Sequence, residues 1–223
     1  SFAYNGTCVI LATSKNCLLL SQGSTIYTIY NLTQNSSSIT LISIDISSPA
    51  SVSSKTGWIV SDDCSKFAIG NIIYVYSSGS NSYSPVNNNF QTFTWTSIDS
   101  SFTFVIVSST IWKYNSTAQK YDSYYSSLNA TFTSSCTLKY YSNSLVIWQV
   151  SSTSALVNAF SDNSSSLTLF ANFALTSYVA TPTITVSPQL SKLIVYGKSS
   201  TGSYMNFYYL NYANATYSTI MFP

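Results

Sequence analysis

The residues that most often perform acid–base chemistry in enzymes are scarce in this chain. The sequence contains no His, and its charged residues are eight cations, all Lys, and six anions, all Asp. A serine nucleophile needs a base to activate it, and the sequence lacks the Gly-X-Ser-X-Gly turn that presents such a serine. Asp62 and Asp63 are adjacent carboxylates, but neighbouring residues of a turn point apart, so we interpret them as turn residues. The sequence therefore predicts that the protein is not an enzyme.

Other sites that bind cofactors or nucleic acids also lack a signal in the sequence. The cysteines do not have the CxxC spacing or the His partners of a zinc site, and no Gly-rich phosphate loop occurs. The formal net charge is only +2, and the Lys residues are dispersed along the chain. We expect no metal, no cofactor and no nucleic-acid partner.

The four cysteines are an even set, which favours disulfide bonds in a secreted protein. They are Cys8, Cys17, Cys64 and Cys136. The separation of Cys8 and Cys17 suits two neighbouring antiparallel strands, so we favour that pair and, by elimination, Cys64 with Cys136. Buried free thiols are the alternative interpretation.

The composition poses a question of solubility. Hydrophobic residues make up 45% of the chain and charged residues only 6%, whereas about a quarter of the residues of a typical soluble domain are charged. Asn-X-Ser/Thr sequons supply a candidate source of hydration, since each can carry an N-linked glycan. They lie at Asn5, Asn31, Asn35, Asn115, Asn129, Asn163 and Asn214. We expect several to be glycosylated, although a chain rich in Asn, Ser and Thr also produces sequons by chance.

Sequons and paired cysteines together predict an extracellular or cell-surface location. The N-terminus lacks a basic segment followed by an apolar core, as expected of a processed or trimmed chain. No apolar run approaches the ~20 residues of a membrane helix, so we expect a chain that does not span the membrane.

The elements that would position any site are short β-strands. Residues Asp62–Ser77 contain two apolar runs joined by Gly70-Asn71, a pattern typical of a β-hairpin. Similar strand patterns recur in five repeats, each with four predicted strands. The repeats span residues 8–54, 57–94, 95–129, 130–176 and 178–223.

A short signature, apolar–aromatic–variable–apolar, marks the predicted third strand of each repeat. It occurs at Ile26–Ile29, Ile73–Tyr76, Ile111–Tyr114, Ile147–Val150 and Phe207–Leu210. With an Asp-containing turn before it, this order resembles the blades of Trp-Asp-repeat β-propellers. The resemblance implies an all-β, five-bladed propeller of four-stranded antiparallel blades in one domain, and the repeat length suits such blades. The alternative is two β-sandwich domains, divided near residues 97–127.

The last predicted strand leaves an open edge. In a propeller, the N-terminal residues Ser1–Tyr4 could pair with Thr219–Phe222 and close the ring, or another chain could pair with that edge instead.

The aromatic residues are the one feature with binding potential. Trp112 and Trp148 occupy equivalent places in the signature, which favours packing between blades. Tyrosines at predicted loop positions could instead stack on sugars: Tyr83, Tyr121, Tyr124 and Tyr125.

Two functions fit these features. The first is an extracellular structural glycoprotein that assembles into a surface coat or filament, through contacts with itself or with other extracellular glycoproteins. The alternative is a lectin- or adhesin-like propeller that binds glycans or a protein partner.

Overall fold

The computed structural model describes residues 8–13, 16–22, 26–31, 40–45, 58–69, 72–80, 82–86, 97–128, 136–176 and 178–222. These residues form five four-stranded antiparallel sheets, and the strands of each sheet follow one another in chain order. The structure therefore confirms the all-β prediction and the four-stranded antiparallel repeat.

The chain divides into two compact units. The N-terminal unit comprises Ser1–Thr94, Ser100–Phe102 and Tyr114–Tyr121, and the C-terminal unit comprises Trp95–Asp99, Thr103–Lys113 and Asp122–Pro223.

Two complete sheets belong to the N-terminal unit. The first contains β1 (Cys8–Thr13), β2 (Cys17–Gln22), β3 (Ile26–Asn31) and β4 (Thr40–Asp45). The second contains β5 (Trp58–Val60), β6 (Lys66–Ile69), β7 (Ile72–Ser77) and β8 (Ser82–Pro85). Side chains from both sheets meet in one apolar cluster, in which Leu19, Ile29 and Phe67 are fully buried.

The third sheet contains β9 (Ser97–Ile98), β10 (Phe104–Val107), β11 (Thr110–Asn115) and β12 (Lys120–Tyr125). The fourth contains β13 (Thr137–Tyr141), β14 (Ser144–Val150), β15 (Ala155–Asp162) and β16 (Leu167–Leu175). The fifth contains β17 (Thr183–Val186), β18 (Lys192–Lys198), β19 (Ser203–Asn211) and β20 (Thr216–Phe222).

Within the C-terminal unit, the fourth sheet has apolar side chains on both faces. Leu145, Ile147 and Phe160 pack with residues of the third sheet. Val146 and Val157 pack with residues of the fifth sheet. Because side chains alternate between the two faces of a strand, burial on both faces requires the continuous apolar runs seen in the sequence.

Non-glycine residues close several of the tight turns. Ser142 and Asn143 join β13 to β14 and have φ angles of 39° and 63°. Two successive positive φ angles are typical of a type I′ turn, whose twist matches that of the adjoining strands. The sequence contains only 7 Gly, so residues such as Asn adopt this conformation instead.

Two details of the predicted strand order are wrong. In the fourth sheet, Ile147–Val150 lies in β14, which is the second strand and not the predicted third strand. The prediction was wrong because it did not include β15, the strand that follows β14. In the second sheet, the fourth strand is β8, whereas the sequence favoured residues 90–95, which lie outside the described residues. Polar residues within β8 and β15 weaken the apolar pattern by which a strand is recognised.

Candidate functional site

The register of the fifth sheet places a set of apolar residues on one face. Opposite residues of antiparallel strands share a face. Three rows cross β18, β19 and β20 in this way: Tyr196–Met205–Phe222, Ile194–Phe207–Ile220 and Lys192–Tyr209–Ser218. We call the apolar members of these rows the outer face: Ile194, Tyr196, Met205, Phe207, Tyr209, Ile220 and Phe222.

The outer face is exposed, in contrast to the opposite face of the same sheet. Tyr196 is 50% exposed, Ile220 47% and Phe222 49%. On the opposite face, Leu193 and Val195 are fully buried. The rings of Phe207 and Phe222 pack edge to face with their centroids 5.3 Å apart. The outer face is therefore an ordered apolar surface.

Strand β20 forms an edge of this sheet. Its seven residues, Thr216–Phe222, include no charged side chain and no proline. Natural edge strands commonly carry charged residues or proline, which prevent pairing with other chains. The predicted open edge at Thr219–Phe222 lies within this strand, whereas its suggested partner, Ser1–Tyr4, lies outside the described residues.

The sequons whose side chains are described lie on exposed turns or strand ends. Asn115 ends β11, Asn163 follows β15 and Asn214 lies between β19 and β20, and all three are exposed. Asn31 is the last residue of β3. Asn5, Asn35 and Asn129 lie outside the described residues.

The disulfide bond joins Cys17 to Cys64, so the favoured pairing of Cys8 with Cys17 and of Cys64 with Cys136 is wrong. In the register of β1 and β2, Cys8 lies opposite Gln22, whereas Leu18 lies opposite Thr13. Cys8 and Cys17 are thus at opposite ends of their hairpin, about 16 Å apart at the usual rise per residue. A disulfide needs Cα atoms within about 7 Å, and those of Cys17 and Cys64 are 5.5 Å apart.

Cys136 was predicted to form a disulfide, but it is a buried free thiol. It packs in the apolar cluster between the third and fourth sheets, and burial raises the pKa of its thiol to about 11. A thiol with a raised pKa is a poor nucleophile at neutral pH. Its side chain acts as a small apolar group in this core.

An ion pair lies between the third and fourth sheets within the C-terminal unit. The Nζ atom of Lys113 is 2.8 Å from Oδ2 of Asp162, whose side chain is only 1% exposed. The hydroxyl of Tyr124 donates to Oδ1 of Asp162 at 2.7 Å, and the amine of Lys113 also lies 4.5 Å from the centre of the Tyr124 ring. Burial alone raises the pKa of Asp162, but hydrogen bonds from Lys113 and Tyr124 outweigh burial and hold the pKa below its usual value.

This ion pair is suited to holding two sheets together. A general acid or base needs a pKa near the working pH, and the lowered pKa of Asp162 keeps it ionised at neutral pH. Burial raises the pKa of Tyr124, as does its hydrogen bond to Asp162, so this hydroxyl remains protonated and continues to donate. This pair could not be predicted from the sequence, because its members are 49 residues apart.

The tyrosines considered for sugar stacking are structural instead. They lie in strands β8 and β12. Tyr121 is fully buried and donates to the carbonyl oxygen of Phe102 at 2.7 Å. Tyr83 donates to the carbonyl oxygen of Cys64, and the ring of Tyr125 packs edge to face against Phe160. Tyrosines exposed on the outer face are better placed to contact a partner.

The turn at Asp62-Asp63 agrees with its predicted role. Oδ1 of Asp63 accepts hydrogen bonds from the backbone N–H of Ser65 at 3.0 Å and the hydroxyl of Ser61 at 2.7 Å. Such bonds close a turn on itself. The carboxylate is thereby engaged in local structure.

The described residues contain no cluster of three or more His, Cys, Asp or Glu side chains that could hold a metal ion. A cleft of about 370 Å³ at one end of the fourth sheet is lined by small, polar and apolar residues, including Gln149, Ser154 and Leu156, and its lining includes no charged group. No helix long and apolar enough to cross a membrane occurs among the described residues.

No protein-family model matches this sequence, and no curated protein matches it. Several solved structures match this chain over most of its length. They include the hydrazine synthase of Kuenenia stuttgartiensis, with 11% identity, a TM-score of 0.47 and coverage of 95% of this chain. The WD40 domain of SCAP from fission yeast shows 14% identity, a TM-score of 0.48 and coverage of 92% of this chain. TolB from Acinetobacter baumannii shows 11% identity, a TM-score of 0.41 and coverage of 97% of this chain.

The chain spans less than two thirds of these three structures. The matched regions cover 64% of the hydrazine synthase chain, 61% of the SCAP domain and 55% of TolB.

Proposed function

We propose that this protein is a non-enzymatic structural glycoprotein of the extracellular space or cell surface, and that copies of it assemble into a coat or filament. The observation that carries this proposal is the outer face of the fifth sheet. Monomeric soluble proteins rarely expose a large contiguous apolar surface unless it binds something. The occupant we propose is a second copy of this chain.

The size of the outer face suits such a contact. An aromatic side chain presents roughly 200 Å² when fully exposed, and Tyr196, Tyr209 and Phe222 are each 41–50% exposed. With Met205 and Ile220, the face offers on the order of 450 Å² of apolar surface per copy. Burying a similar area on both partners approaches the ~1,000 Å² of a specific interface.

The charge of the chain also favours contact between identical copies. Its formal net charge is +2, with only 6% charged residues. Weak self-repulsion lets identical subunits approach closely. Lys192 and Lys198 project from the same face of β18 as Ile194 and Tyr196, at the two ends of the strand, so the two charges flank the apolar residues.

The extracellular location rests on the disulfide and the sequons. Disulfide bonds persist in oxidising compartments, and Cys17 and Cys64 form one. Three sequons have exposed asparagines, which an N-linked glycan requires. No non-covalent cofactor is needed for this function.

We also propose that the five sheets are the blades of one five-bladed β-propeller. Consecutive four-stranded antiparallel sheets are the building unit of propellers, and five of them follow in chain order. Assembly through the outer face requires that the ring is not closed over that face within one molecule. Cryo-electron microscopy of the purified particle distinguishes an open ring from a closed one, and a closed ring would overturn assembly through the outer face.

The decisive test is the mass of the native glycoprotein by light scattering. We expect particles many times larger than the 24.4 kDa chain that persist on dilution. The double variant Ile220→Asp, Phe222→Asp should dissociate them, because each substitution places a charge in the buried contact. Val179→Asp is the matched control, since Val179 is apolar and 57% exposed but does not belong to the outer face.

The size of the particle also tests the mode of assembly. An outer face that packs on its own counterpart gives a closed dimer, whereas contact with a different surface continues into a filament or coat. A monomer, or a particle whose mass the double variant leaves unchanged, would overturn the proposal.

The alternative function is recognition of glycans or of a protein partner. The exposed rings of Tyr196 and Tyr209 favour it, because tyrosine contacts sugars and proteins at low entropic cost. A monomer that binds a glycan array, and loses that binding on Tyr196→Ala, would establish recognition in place of assembly.

A further inference from the structure

The sequons fall at the same place in the fold in four of the five sheets. Asn115, Asn163 and Asn214 each lie at the connection between the third and fourth strands of their sheet. In the first sheet, Asn31 ends the third strand. Asn35 follows it in the sequence before the fourth strand begins, but lies outside the described residues. Scattered sequons would not be expected to favour one of the several connections of each sheet.

The side-chain oxygens of Asn163 and Asn115 both bond to the backbone of their own turns. Oδ1 of Asn163 accepts the backbone N–H groups of Ser165 at 3.3 Å and Ser166 at 2.8 Å. Oδ1 of Asn115 likewise accepts the N–H groups of Thr117 and Ala118, both at 3.1 Å. The oxygen therefore faces the turn. The amide nitrogen, to which a glycan is joined, lies on the other side of the amide group, on an exposed residue.

Each of these connections leads directly into an edge strand. The fourth strand of every sheet stands at one end of the strand order, so only one of its sides is paired within the sheet. Natural proteins protect such edges with charged residues, prolines or very short strands. Strands β16 and β20 have seven or more residues and no charge, and so lack all three devices.

The second sheet is the exception, and its edge is protected differently. Its third-to-fourth connection carries no sequon, since Asn81 is followed by Ser82 and Tyr83. Its fourth strand, β8, has only four residues and ends at Pro85. A short strand that ends in proline is a poor template for pairing.

We propose that N-linked glycans at Asn115, Asn163 and Asn214, and at Asn31 or Asn35, shield the fourth strands from pairing with other chains. A bulky, hydrated glycan at the start of an edge strand hinders the approach of a second strand along that edge. The glycans at Asn163 and Asn214 thus take the place of the charged residues that β16 and β20 lack, whereas at β12 a glycan would add to the charges of Lys120 and Asp122. Contact between copies is thereby directed to the outer face, since Ile220 and Phe222 lie at the end of β20 far from Asn214. This inference rests on the proposed secretion of the chain.

The experiment uses protein secreted from eukaryotic cells. Glycopeptide mass spectrometry should find Asn163 and Asn214 occupied. The double variant Asn163→Gln, Asn214→Gln should then form irregular aggregates that bind thioflavin T. Its thioflavin T fluorescence should be several-fold higher than that of the parent. The double variant Asn5→Gln, Asn129→Gln is the matched control, because it removes sequons outside the third-to-fourth connections, and it should aggregate no more than the parent.

Two further variants separate edge shielding from a general effect of glycans on solubility. Adding Thr168→Lys to Asn163→Gln places a charge on the exposed side of β16 and should restore the parent behaviour of that edge. Ser78→Asn creates an Asn-Gly-Ser sequon in the second sheet, which should be occupied without changing aggregation.

Secreted protein without glycan at Asn163 and Asn214 would overturn the proposal. Equal aggregation of the two double variants would also overturn it, as would unchanged aggregation of Asn163→Gln when Thr168→Lys is added. These outcomes are separate from those of the proposed function, which depends on the effect of Ile220→Asp and Phe222→Asp on particle mass.

Discussion

Asp162 shows how a single buried carboxylate can contribute to stability. It accepts hydrogen bonds from Lys113 and Tyr124, and its side chain is almost inaccessible. Removing one member of a buried ion pair destabilises the fold, because the remaining charge has lost its hydration and no longer has an opposite charge beside it. The partial exposure of Lys113, at 23%, moderates that penalty.

We predict that Asp162→Asn lowers the free energy of unfolding by about 2–3 kcal/mol at neutral pH. Because the folded state lowers the pKa of Asp162, its contribution is present above the unfolded value of ~3.9 and is lost as the pH falls through the folded pKa. The difference in the free energy of unfolding between the parent and Asp162→Asn should therefore become smaller in acid. Urea unfolding followed by circular dichroism at several pH values measures this difference.

Lys198→Met is the control for this prediction, because Lys198 is exposed at the end of β18. It should change stability by no more than about 0.5 kcal/mol. A difference between the parent and Asp162→Asn that stays constant into acid would show that the ion pair does not stabilise the fold.

At the scale of elements, strand β18 illustrates how packing restricts a sequence. Its residues alternate between the buried and the outer face, and Gly197 lies on the buried face. A Cβ atom at this position would overlap the ring of Tyr178, which is itself buried. The glycine is thus required for close approach rather than for an unusual backbone angle.

We predict that Gly197→Ala destabilises the fold by about 1–3 kcal/mol, the usual cost of overpacking a core. Thermal unfolding measures the change. Gly79→Ala is the matched control, because Gly79 lies in an exposed turn where the nearest atom to a new Cβ is Oγ of Ser77 at 3.9 Å. Adding Tyr178→Leu to Gly197→Ala should recover part of the loss. Equal effects of the two alanine substitutions would refute the packing argument.

At the scale of the whole molecule, the disulfide acts on one of the two compact units. Cys17 and Cys64 both belong to the N-terminal unit and are separated by 47 residues. Closing a loop of this length stabilises a fold by about 4 kcal/mol in the chain-entropy estimate. The C-terminal unit contains two apolar clusters and a free thiol at Cys136, which lies in one of them.

We predict that the double variant Cys17→Ala, Cys64→Ala speeds amide hydrogen exchange in residues 58–86 far more than in residues 136–176 and 178–222. Exchange followed by mass spectrometry reports the two units separately. Cys136→Ala is the control and should leave exchange in residues 58–86 unchanged. A uniform increase throughout the chain would mean that the disulfide does not act on the N-terminal unit alone.

Much of the strand pattern could be predicted from the sequence because it depends on near neighbours. Alternating apolar residues and turn residues identify strands such as β18 and β19 within a few positions. The signature correctly marked the third strand at Ile73–Tyr76, Ile111–Tyr114 and Phe207–Leu210. The signature marked the second strand instead of the third at Ile147–Val150. The sequence prediction did not include β15, because polar residues interrupt its apolar pattern.

The sequence by itself determined the all-β class, the low charge, the absence of histidine and the positions of the sequons. Only the tertiary structure decided which cysteines pair, that Lys113 meets Asp162, and that the outer face stays exposed while the opposite face is buried. The reason is physical. Local propensity acts over a few residues, whereas these contacts depend on which sheets pack together and in which register, and no short segment of the chain contains that information.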